Sequence, residues 1–289
     1  MTVVWCNGSL RDPDEPMISV LDHGLTVGDG VFETCGVLDG QAFALTRHLD
    51  RLARSAAGLG VDLPADAEIR RGVAEVLAAL PAEEPGQATR LRITVTAGPG
   101  PLGSARTPGS TPTLVVAAAS GPASVDARVV RVPWVRNERS AVAGLKTTSY
   151  AENVVALAYA KERGADEALL ANTVGELCEG TAANVFVERD GEVLTPPLSS
   201  GCLGGITRDL VLLWGQEAGL AVREASAGEL RYEDVLADVE ARRASLAISG
   251  SVRGPVPVVA LDGTATVPGA LLAELCALYA ARVNDDLDP

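Results

Sequence analysis

The sequence predicts a mixed α/β fold of the α+β type, arranged in two domains. Its strand-like and helix-like stretches do not follow the strict strand–helix–strand order of a doubly wound sheet. A small, polar segment with one proline at 120–126 predicts a linker between a first domain, 1–119, and a second, 127–289. A chain of 289 residues is long enough for two such domains.

In the first domain, hairpins come first and helices follow. VVWC, Asn-Gly and SLR give a strand, a turn and a strand, and VFETCGVLDGQAFAL repeats the pattern around Asp39-Gly40. Apolar residues then recur at helical spacing from Thr46 to Gly58 or Gly60, and again from Glu68 to Leu80. RLRITVTAG and TPTLVVAAAS are typical of two further strands.

The second domain mixes the same elements. ARVVRVPW and DEALLAN predict strands on either side of a helix from Ser149 to Gly164. ANVFVERDGEVLTPP predicts a hairpin that turns at Asp190-Gly191, and GGITRDLVLLWGQEAGL a glycine loop that opens a helix. SLAIS and VPVVALDGTAT predict strands, and a last helix begins near Pro268.

Composition excludes several classes of protein. A net charge of −14 opposes binding to nucleic acids and anionic membranes, which require clustered positive charge. No apolar run approaches the roughly 20 residues of a membrane helix, and the first residues do not resemble an export signal. Five scattered cysteines indicate free thiols in a reducing cytoplasm, and two isolated histidines are too few for a metal site.

Lys146 is the first candidate for chemistry. The chain has two lysines, and Lys161 lies in an ordinary charged run, whereas Lys146 stands among apolar and hydroxylated residues in AGLKTTSYAENV. Burial among such neighbours lowers a lysine pKa, and a neutral amine can form an imine with an aldehyde. Arginine cannot replace it, since a guanidinium stays protonated. A solvent-exposed loop lysine is the alternative interpretation.

Further candidates are an acid and a set of anion-binding groups. Glu179, or equally Glu176, could hold a pyridinium nitrogen protonated, so that the ring accepts electrons. Gly204-Gly205-Ile206-Thr207 opens a helix whose free N–H groups suit a phosphate, and Ser249-Gly250-Ser251 could close the other side. Arg51, on the Thr46–Gly58 helix, could bind phosphate oxygens through its guanidinium.

Six stretches in chain order resemble the class IV aminotransferase family, the fold-type IV enzymes that use pyridoxal 5'-phosphate (PLP). They are LDHGLTVGDGVFET, RHLDRLARSA, GLKTTSYAENV, ADEALLANTVGELCEGTAANVFV, LTPPLSSGCLGGITRD and AISGSVRGPVPV. The resemblance implies two α/β domains with PLP between them, and a homodimer that completes the site. It also implies a small anionic amine as substrate.

The resemblance also implies a role for each matching position. Lys146 corresponds to the lysine that binds the PLP aldehyde and carries protons, and Glu179 to the acid that faces the ring nitrogen. Tyr150 corresponds to a tyrosine near the phenolic oxygen of the ring. The residues that correspond to the phosphate-binding group are Arg51, Ile206, Thr207 and Ser251.

Within the family, the sequence favours 4-amino-4-deoxychorismate lyase, which forms pyruvate and the folate precursor 4-aminobenzoate. GDGVFET, the GPGPLG loop and SVRGPVPV are closest to that branch. Gly36 and Ala97 stand where relatives carry carboxylate-binding arginines, which leaves Arg92, Arg106 and Arg253 as cations for the substrate; Phe32 and Thr34 would contact it. An aminotransferase acting on a branched-chain or D-amino acid or an amine is the alternative, and a catalytically silent PLP-binding protein is the third.

Overall fold

The computed structural model describes residues 1–82 and 84–289, which fold into two compact units. The first unit comprises Met1–Ala123 together with Leu145–Tyr150 and Leu287–Pro289. The second comprises Ser124–Gly144 and Ala151–Asp286. The segment that carries Lys146 therefore belongs to the first unit, whereas the sequence placed it in the domain 127–289.

The first unit is built on one antiparallel six-stranded sheet with the order β2-β1-β6-β5-β3-β4. The described strands are β1 (Thr2–Cys6), β2 (Ser9–Arg11), β3 (Gly30–Leu38), β4 (Gln41–Ala42), β5 (Gln87–Thr96) and β6 (Thr113–Pro122). The helices are α1 (His23–Thr26), α2 (Leu45–Leu59) and α3 (Asp66–Ala78). Both predicted hairpins and both predicted helices are confirmed, and β6 runs into the segment 120–126 that the sequence predicts as a linker.

Side-chain alternation divides the two faces of this sheet. On one face, Leu91, Ile93 and Val95 of β5 are fully buried in a core that includes apolar residues of α2 and α3. On the other face, Arg92 lies opposite Thr34 of β3, and the neighbouring pair contains Phe32. Because successive side chains of a strand point to opposite faces, the residues nominated for substrate binding on β3 and β5 share the face away from this core.

The second unit contains a nine-stranded mixed sheet with the order β12-β11-β10-β13-β14-β7-β8-β9, and β15 pairs with β14. Its described strands are β7 (Ala127–Arg136), β8 (Glu167–Asn172), β9 (Leu177–Gly180), β10 (Asn184–Arg189), β11 (Glu192–Thr195), β12 (Val222–Glu224), β13 (Ala244–Gly250), β14 (Gly254–Leu261) and β15 (Thr264–Ala265). The helices are α4 (Ala151–Glu162), α5 (Ile206–Glu217), α6 (Tyr232–Glu240) and α7 (Ala270–Arg282).

The second unit has its own core. Val185, Val187, Leu246 and Ile248 from β10 and β13 are buried with apolar residues of α6. Helix α6 has no counterpart in the sequence prediction, although Tyr232, Val235, Leu236 and Val239 recur at helical spacing and are all buried.

Among the described residues, no helix combines the length and apolar character that a membrane crossing requires.

Candidate active site

Lys146 is held in place by its backbone, along the edge of the first unit's sheet. Phe32 N donates to Lys146 O at 3.0 Å, and Thr148 N donates to Gly30 O at 2.8 Å. Lys146 N donates to Ser55 Oγ on α2 at 3.1 Å. These bonds join residues about ninety to more than a hundred positions apart, so the lysine is fixed to β3 and α2 at once.

The Lys146 amine lies in an aromatic environment. Its Nζ is 4.4 Å from the centroid of the buried Phe32 ring and donates to Tyr150 Oη at 3.3 Å. The Phe32 and Tyr150 rings meet edge to face, with centroids 5.0 Å apart. The face of an aromatic ring favours the protonated form of an amine, whereas loss of hydration favours the neutral form. The surroundings of Lys146 therefore exert two opposing effects on its charge.

Arg92 joins this cluster on the same sheet face. Its guanidinium carbon lies 3.7 Å from the Phe32 centroid, so Phe32 contacts two cationic side chains. Arg92 Nε also donates to Thr94 Oγ1 at 3.3 Å, and Thr34 is the cross-strand neighbour of Arg92. The structure therefore brings together five of the predicted site residues: Lys146, Tyr150, Phe32, Thr34 and Arg92.

Arg106 lies elsewhere in the first unit, and its guanidinium is occupied. Nε and Nη2 donate to the two carboxylate oxygens of Asp29, each at 2.6 Å. Nη2 also donates to Leu59 O at 2.9 Å, and Nη1 to Gly60 O. These bonds hold the pKa of Asp29 below its ordinary value. Arg106 therefore anchors its loop, and its donors are already used where the sequence analysis left them for a substrate.

Arg51 belongs to a buried charged cluster with Glu33 and His48. Arg51 Nε and Nη2 each donate to one Glu33 oxygen at 2.7 Å, and His48 Nδ1 donates to Glu33 Oε2 at 2.6 Å. Burial alone raises the pKa of Glu33, but Arg51 and His48 outweigh it and lower the pKa to about 2. Burial lowers the pKa of His48, which suits a neutral ring that donates through Nδ1. Glu33 thus fixes the orientation of the Arg51 guanidinium.

In the second unit, Glu179 lies on β9 and accepts hydrogen bonds from Arg136 and Leu203. Arg136 Nε donates to Oε1 at 3.1 Å, and Leu203 N donates to Oε2 at 2.9 Å. An arginine at this distance favours the ionised carboxylate. Glu176 has a different task, because it accepts from Asn172 Nδ2 at 2.9 Å and from Gly228 N, which closes a turn.

The start of α5 provides an anion-binding arrangement in the same unit. Gly205 is the N-cap of α5, and no side chain caps this helix start. A Cβ on Gly205 would lie 1.9 Å from Asn184 Oδ1, so only glycine lets the backbone approach there. Ile206 and Thr207 follow and are buried. The first N–H groups of a helix, with the helix dipole behind them, favour a phosphate.

Two buried hydrogen-bond donors at the β13–β14 turn have no partner. Among the described residues, Ser249 Oγ and Arg253 Nη1 are buried polar atoms with no hydrogen bond. Ser249 pairs with Asn184 across β13 and β10, and Ser251 and Arg253 belong to the turn between β13 and β14. A buried donor without a partner costs free energy, which an anionic group would recover. A helix start without a side-chain cap and buried donors without partners both suit an anionic group, such as the phosphate of PLP.

The sequence and the fold are similar to those of known proteins. Residues 30–261 match the model of the amino-transferase class IV family. The chain belongs to the class IV aminotransferases. It is similar to a Methanocaldococcus jannaschii protein named "Putative branched-chain-amino-acid aminotransferase", 34% identical over 264 residues, with 90% of this chain and 88% of that protein covered.

Two further relatives have other activities in their names. The D-alanine aminotransferase of Bacillus licheniformis is 28% identical, with 92% of this chain and 91% of that protein covered. A bifunctional aminodeoxychorismate lyase / D-amino acid transaminase of Mycobacterium tuberculosis is 32% identical over 229 residues, with 71% and 75% covered.

Solved structures confirm the fold-type IV architecture that the sequence predicted. The branched-chain aminotransferase of Thermoproteus uzoniensis with norvaline superposes with a TM-score of 0.82 at 30% identity, covering 97% of this chain and 94% of that one. The fold IV-transaminase CpuTA1 of Curtobacterium pusillum gives a TM-score of 0.79 at 29% identity, covering 97% of this chain and 99% of that one.

The residues that sequence reasoning missed are the partners of the predicted ones. Glu33 holds Arg51 and is itself bonded to His48, and Arg136 holds Glu179. Each pair is long-range in sequence, so no local spacing indicates it. The FET stretch carries Glu33 between Phe32 and Thr34, and strand alternation was the available signal that Glu33 points away from them.

We expect Glu33→Gln to destabilise the protein by about 3 kcal/mol at pH 7, because it leaves the Arg51 cation buried without its counter-ion. The folded-state pKa of about 2 lies below the ordinary 4.5, so the carboxylate stabilises the fold above about pH 4.5 and loses that effect as pH falls towards 2. The difference between wild type and variant in urea-unfolding free energy should therefore shrink with acidification.

Asp66→Asn is the matched control, since Asp66 pairs with Arg70 on an exposed helix surface. This substitution should lower the free energy of unfolding by less than about 0.5 kcal/mol. A Glu33→Gln effect as small as this control, or one that grows as the pH falls, would contradict the role of the buried carboxylate.

Proposed function

We propose that the protein is an aminotransferase that exchanges the amino group of an amino acid, branched-chain or of D configuration, for the oxo group of a 2-oxo acid. The observation that carries the proposal is the Lys146 amine, placed against Phe32 and Tyr150 in a class IV aminotransferase. Relatives named for branched-chain and D-alanine transamination support the choice of substrate.

The cofactor is PLP, in keeping with the class IV family. When bound, PLP supplies an aldehyde that condenses with amines and a ring that stabilises negative charge on the neighbouring carbon. In our proposal Lys146 would hold PLP through its amine until the substrate amine displaces it. The freed Lys146 amine would then carry a proton from the substrate carbon that bears nitrogen to the former aldehyde carbon of the cofactor, on the other side of that nitrogen. Tyr150, hydrogen-bonded to Nζ, orients that amine.

The second unit's residues are assigned to the rest of the cofactor. Glu179, oriented by its ion pair with Arg136, would face the ring nitrogen and favour its protonated form. The N–H groups of Ile206 and Thr207, with Ser251, would bind the phosphate, and Arg51 would add a charge-assisted contact. Glu179 is preferred to Glu176, because the Glu176 carboxylate is committed to its turn.

Arg92 is the cation best placed for the substrate carboxylate. It shares the Phe32 ring with Lys146, whereas Arg106 is bound to Asp29. A guanidinium over an aromatic face can donate hydrogen bonds from its edge to a carboxylate. Arg253, with one buried nitrogen that lacks a partner, is the candidate for a second anionic group.

A homodimer is part of the proposal. Five apolar residues between positions 18 and 27 are strongly exposed, and Leu102 is 77% exposed. These residues are Ile18, Val20, Leu21, Leu25 and Val27. Several exposed apolar side chains within ten residues of sequence are typical of a segment that contacts another protein.

Lyase activity is the second candidate. It was the preferred interpretation of the sequence, and the bifunctional Mycobacterium tuberculosis relative supports it. Both activities begin with removal of a proton from the substrate carbon that bears nitrogen. A transaminase delivers a proton to the cofactor, whereas the lyase uses the electrons left on the substrate to expel pyruvate.

A substrate panel separates them. Holoenzyme given L-leucine or D-alanine should convert to the pyridoxamine form, visible as a change in the absorbance spectrum, and 2-oxoglutarate should reverse it. Only a lyase should release 4-aminobenzoate from aminodeoxychorismate. Lys146→Ala is the inactive control for both. A holoenzyme that releases 4-aminobenzoate and is inert to every amino donor would overturn the transaminase proposal in favour of the lyase.

Substituting Arg92 tests the carboxylate assignment. Arg92→Gln should raise KM for amino acid substrates at least tenfold with a smaller change in kcat, because a charge-assisted contact worth about 1.5–3 kcal/mol is lost. Amines without a carboxylate should be affected little. Arg90→Gln is the matched control, two residues away on the same strand and face. Equal effects at both positions would contradict a direct role for Arg92.

A further inference from the structure

The start of helix α2 is capped by a segment almost 250 positions away. Thr46 N donates to Asp288 Oδ1 at 2.8 Å, and Thr46 Oγ1 donates to Asp288 Oδ2 at 2.6 Å. The neighbouring residues bind in register: Ala44 N donates to Leu287 O at 2.7 Å, and Arg47 Nε donates to Pro289 O at 2.5 Å. Residues 287–289, which we call the C-terminal clasp, thus each contact one residue at the start of α2.

Helix α2 needs this help because its own sequence supplies no cap. The N-cap residue is Ala44, which has no side-chain hydrogen-bonding group and takes the left-handed conformation with φ 53°. Left-handed geometry is unfavourable for alanine, and the first N–H groups of a helix have no partner within it. The Asp288 carboxylate accepts from one of them and places negative charge at the positive end of the helix dipole.

The capped turn leads directly into the buried charged cluster. His48 is two residues beyond Thr46, and Arg51 is one helical turn further. Both bind Glu33 in a fully buried setting at 2.6–2.7 Å, where a small displacement of the helix start would lengthen every bond. Ser55, which accepts from Lys146 N, lies on the same helix. One helix therefore carries contacts to both Glu33 and the lysine segment.

We propose that Asp288 and the C-terminal clasp are positioning groups for Arg51, and through it for the phosphate of PLP. The clasp does not touch the cofactor; it fixes the first turn of α2, so that the Glu33-bound guanidinium is already ordered when an anion arrives. This inference rests on the proposed role of Arg51 in phosphate binding. It adds that PLP affinity depends on a carboxylate at the opposite end of the sequence.

The test uses three full-length variants and two readouts. Asp288→Ala removes both carboxylate contacts, and Asp288→Asn retains one acceptor for Thr46 N. Asp285→Ala is the control for loss of one exposed acidic charge three residues before Asp288, outside the clasp. Hydrogen exchange of the apoprotein reports the first turn of α2 without any cofactor. Titration of the apoprotein with PLP, followed by absorbance, reports affinity.

In Asp288→Ala, we expect the Thr46 and Arg47 amide hydrogens to exchange at least about fivefold faster than in wild type. We also expect the Kd for PLP to rise about fivefold, which corresponds to the loss of one helix cap. Asp288→Asn should recover part of both changes, and Asp285→Ala should match wild type. Wild type that binds no PLP would refute the proposed function itself. Faster exchange with unchanged PLP affinity, unchanged exchange, or an equal effect of Asp285→Ala would each overturn the positioning role.

Discussion

The short backbone ladder between Lys146 and strand β3 is the constraint on which the site in the first unit depends. Phe32 N binds Lys146 O, and Thr147 forms a bridge with Val31, so the lysine has no freedom to slide along the sheet. Strand alternation then puts Phe32 on the same side as Arg92 and sends Glu33 to the opposite side. A single strand thereby serves two tasks: one face contacts the Lys146 amine and the other anchors α2 through Glu33.

The arginines of the chain divide between structural and binding roles. A chain with a net charge of −14 that handles anionic ligands must keep its local cations oriented. Arg51 is held by Glu33 and Arg136 lies beside Glu179, whereas Arg106 is neutralised by Asp29 in a loop. Arg92 rests on an aromatic ring. Arg106 thus anchors a loop and Arg136 orients Glu179. We propose that Arg51 and Arg92 bind anionic groups, the cofactor phosphate and the substrate carboxylate respectively.

The sequence predicts the elements of local origin well and the long-range ones poorly. Hairpins at Asp39-Gly40 and Asp190-Gly191 follow from turn chemistry, and the glycine loop before α5 from helix-start preferences. The assignment of Lys146 to the first unit follows from bonds to β3 and α2 that no periodicity encodes. Residue chemistry nominated Lys146 and left Glu179 and Glu176 open, and the family resemblance favoured Glu179; the residues that orient them and Arg51 emerge only from three-dimensional packing.

The most direct measurement is reductive trapping followed by peptide mapping, which this chain makes unusually clean because Lys146 and Lys161 are its two lysines. Lys161 pairs with Asp166 on an exposed surface and serves as an internal control. Borohydride treatment of the PLP-loaded protein should leave a phosphopyridoxyl group on the peptide that contains Lys146 and none on that of Lys161. Label on Lys161 alone, or on neither lysine in a protein that remains folded, would contradict the central claim.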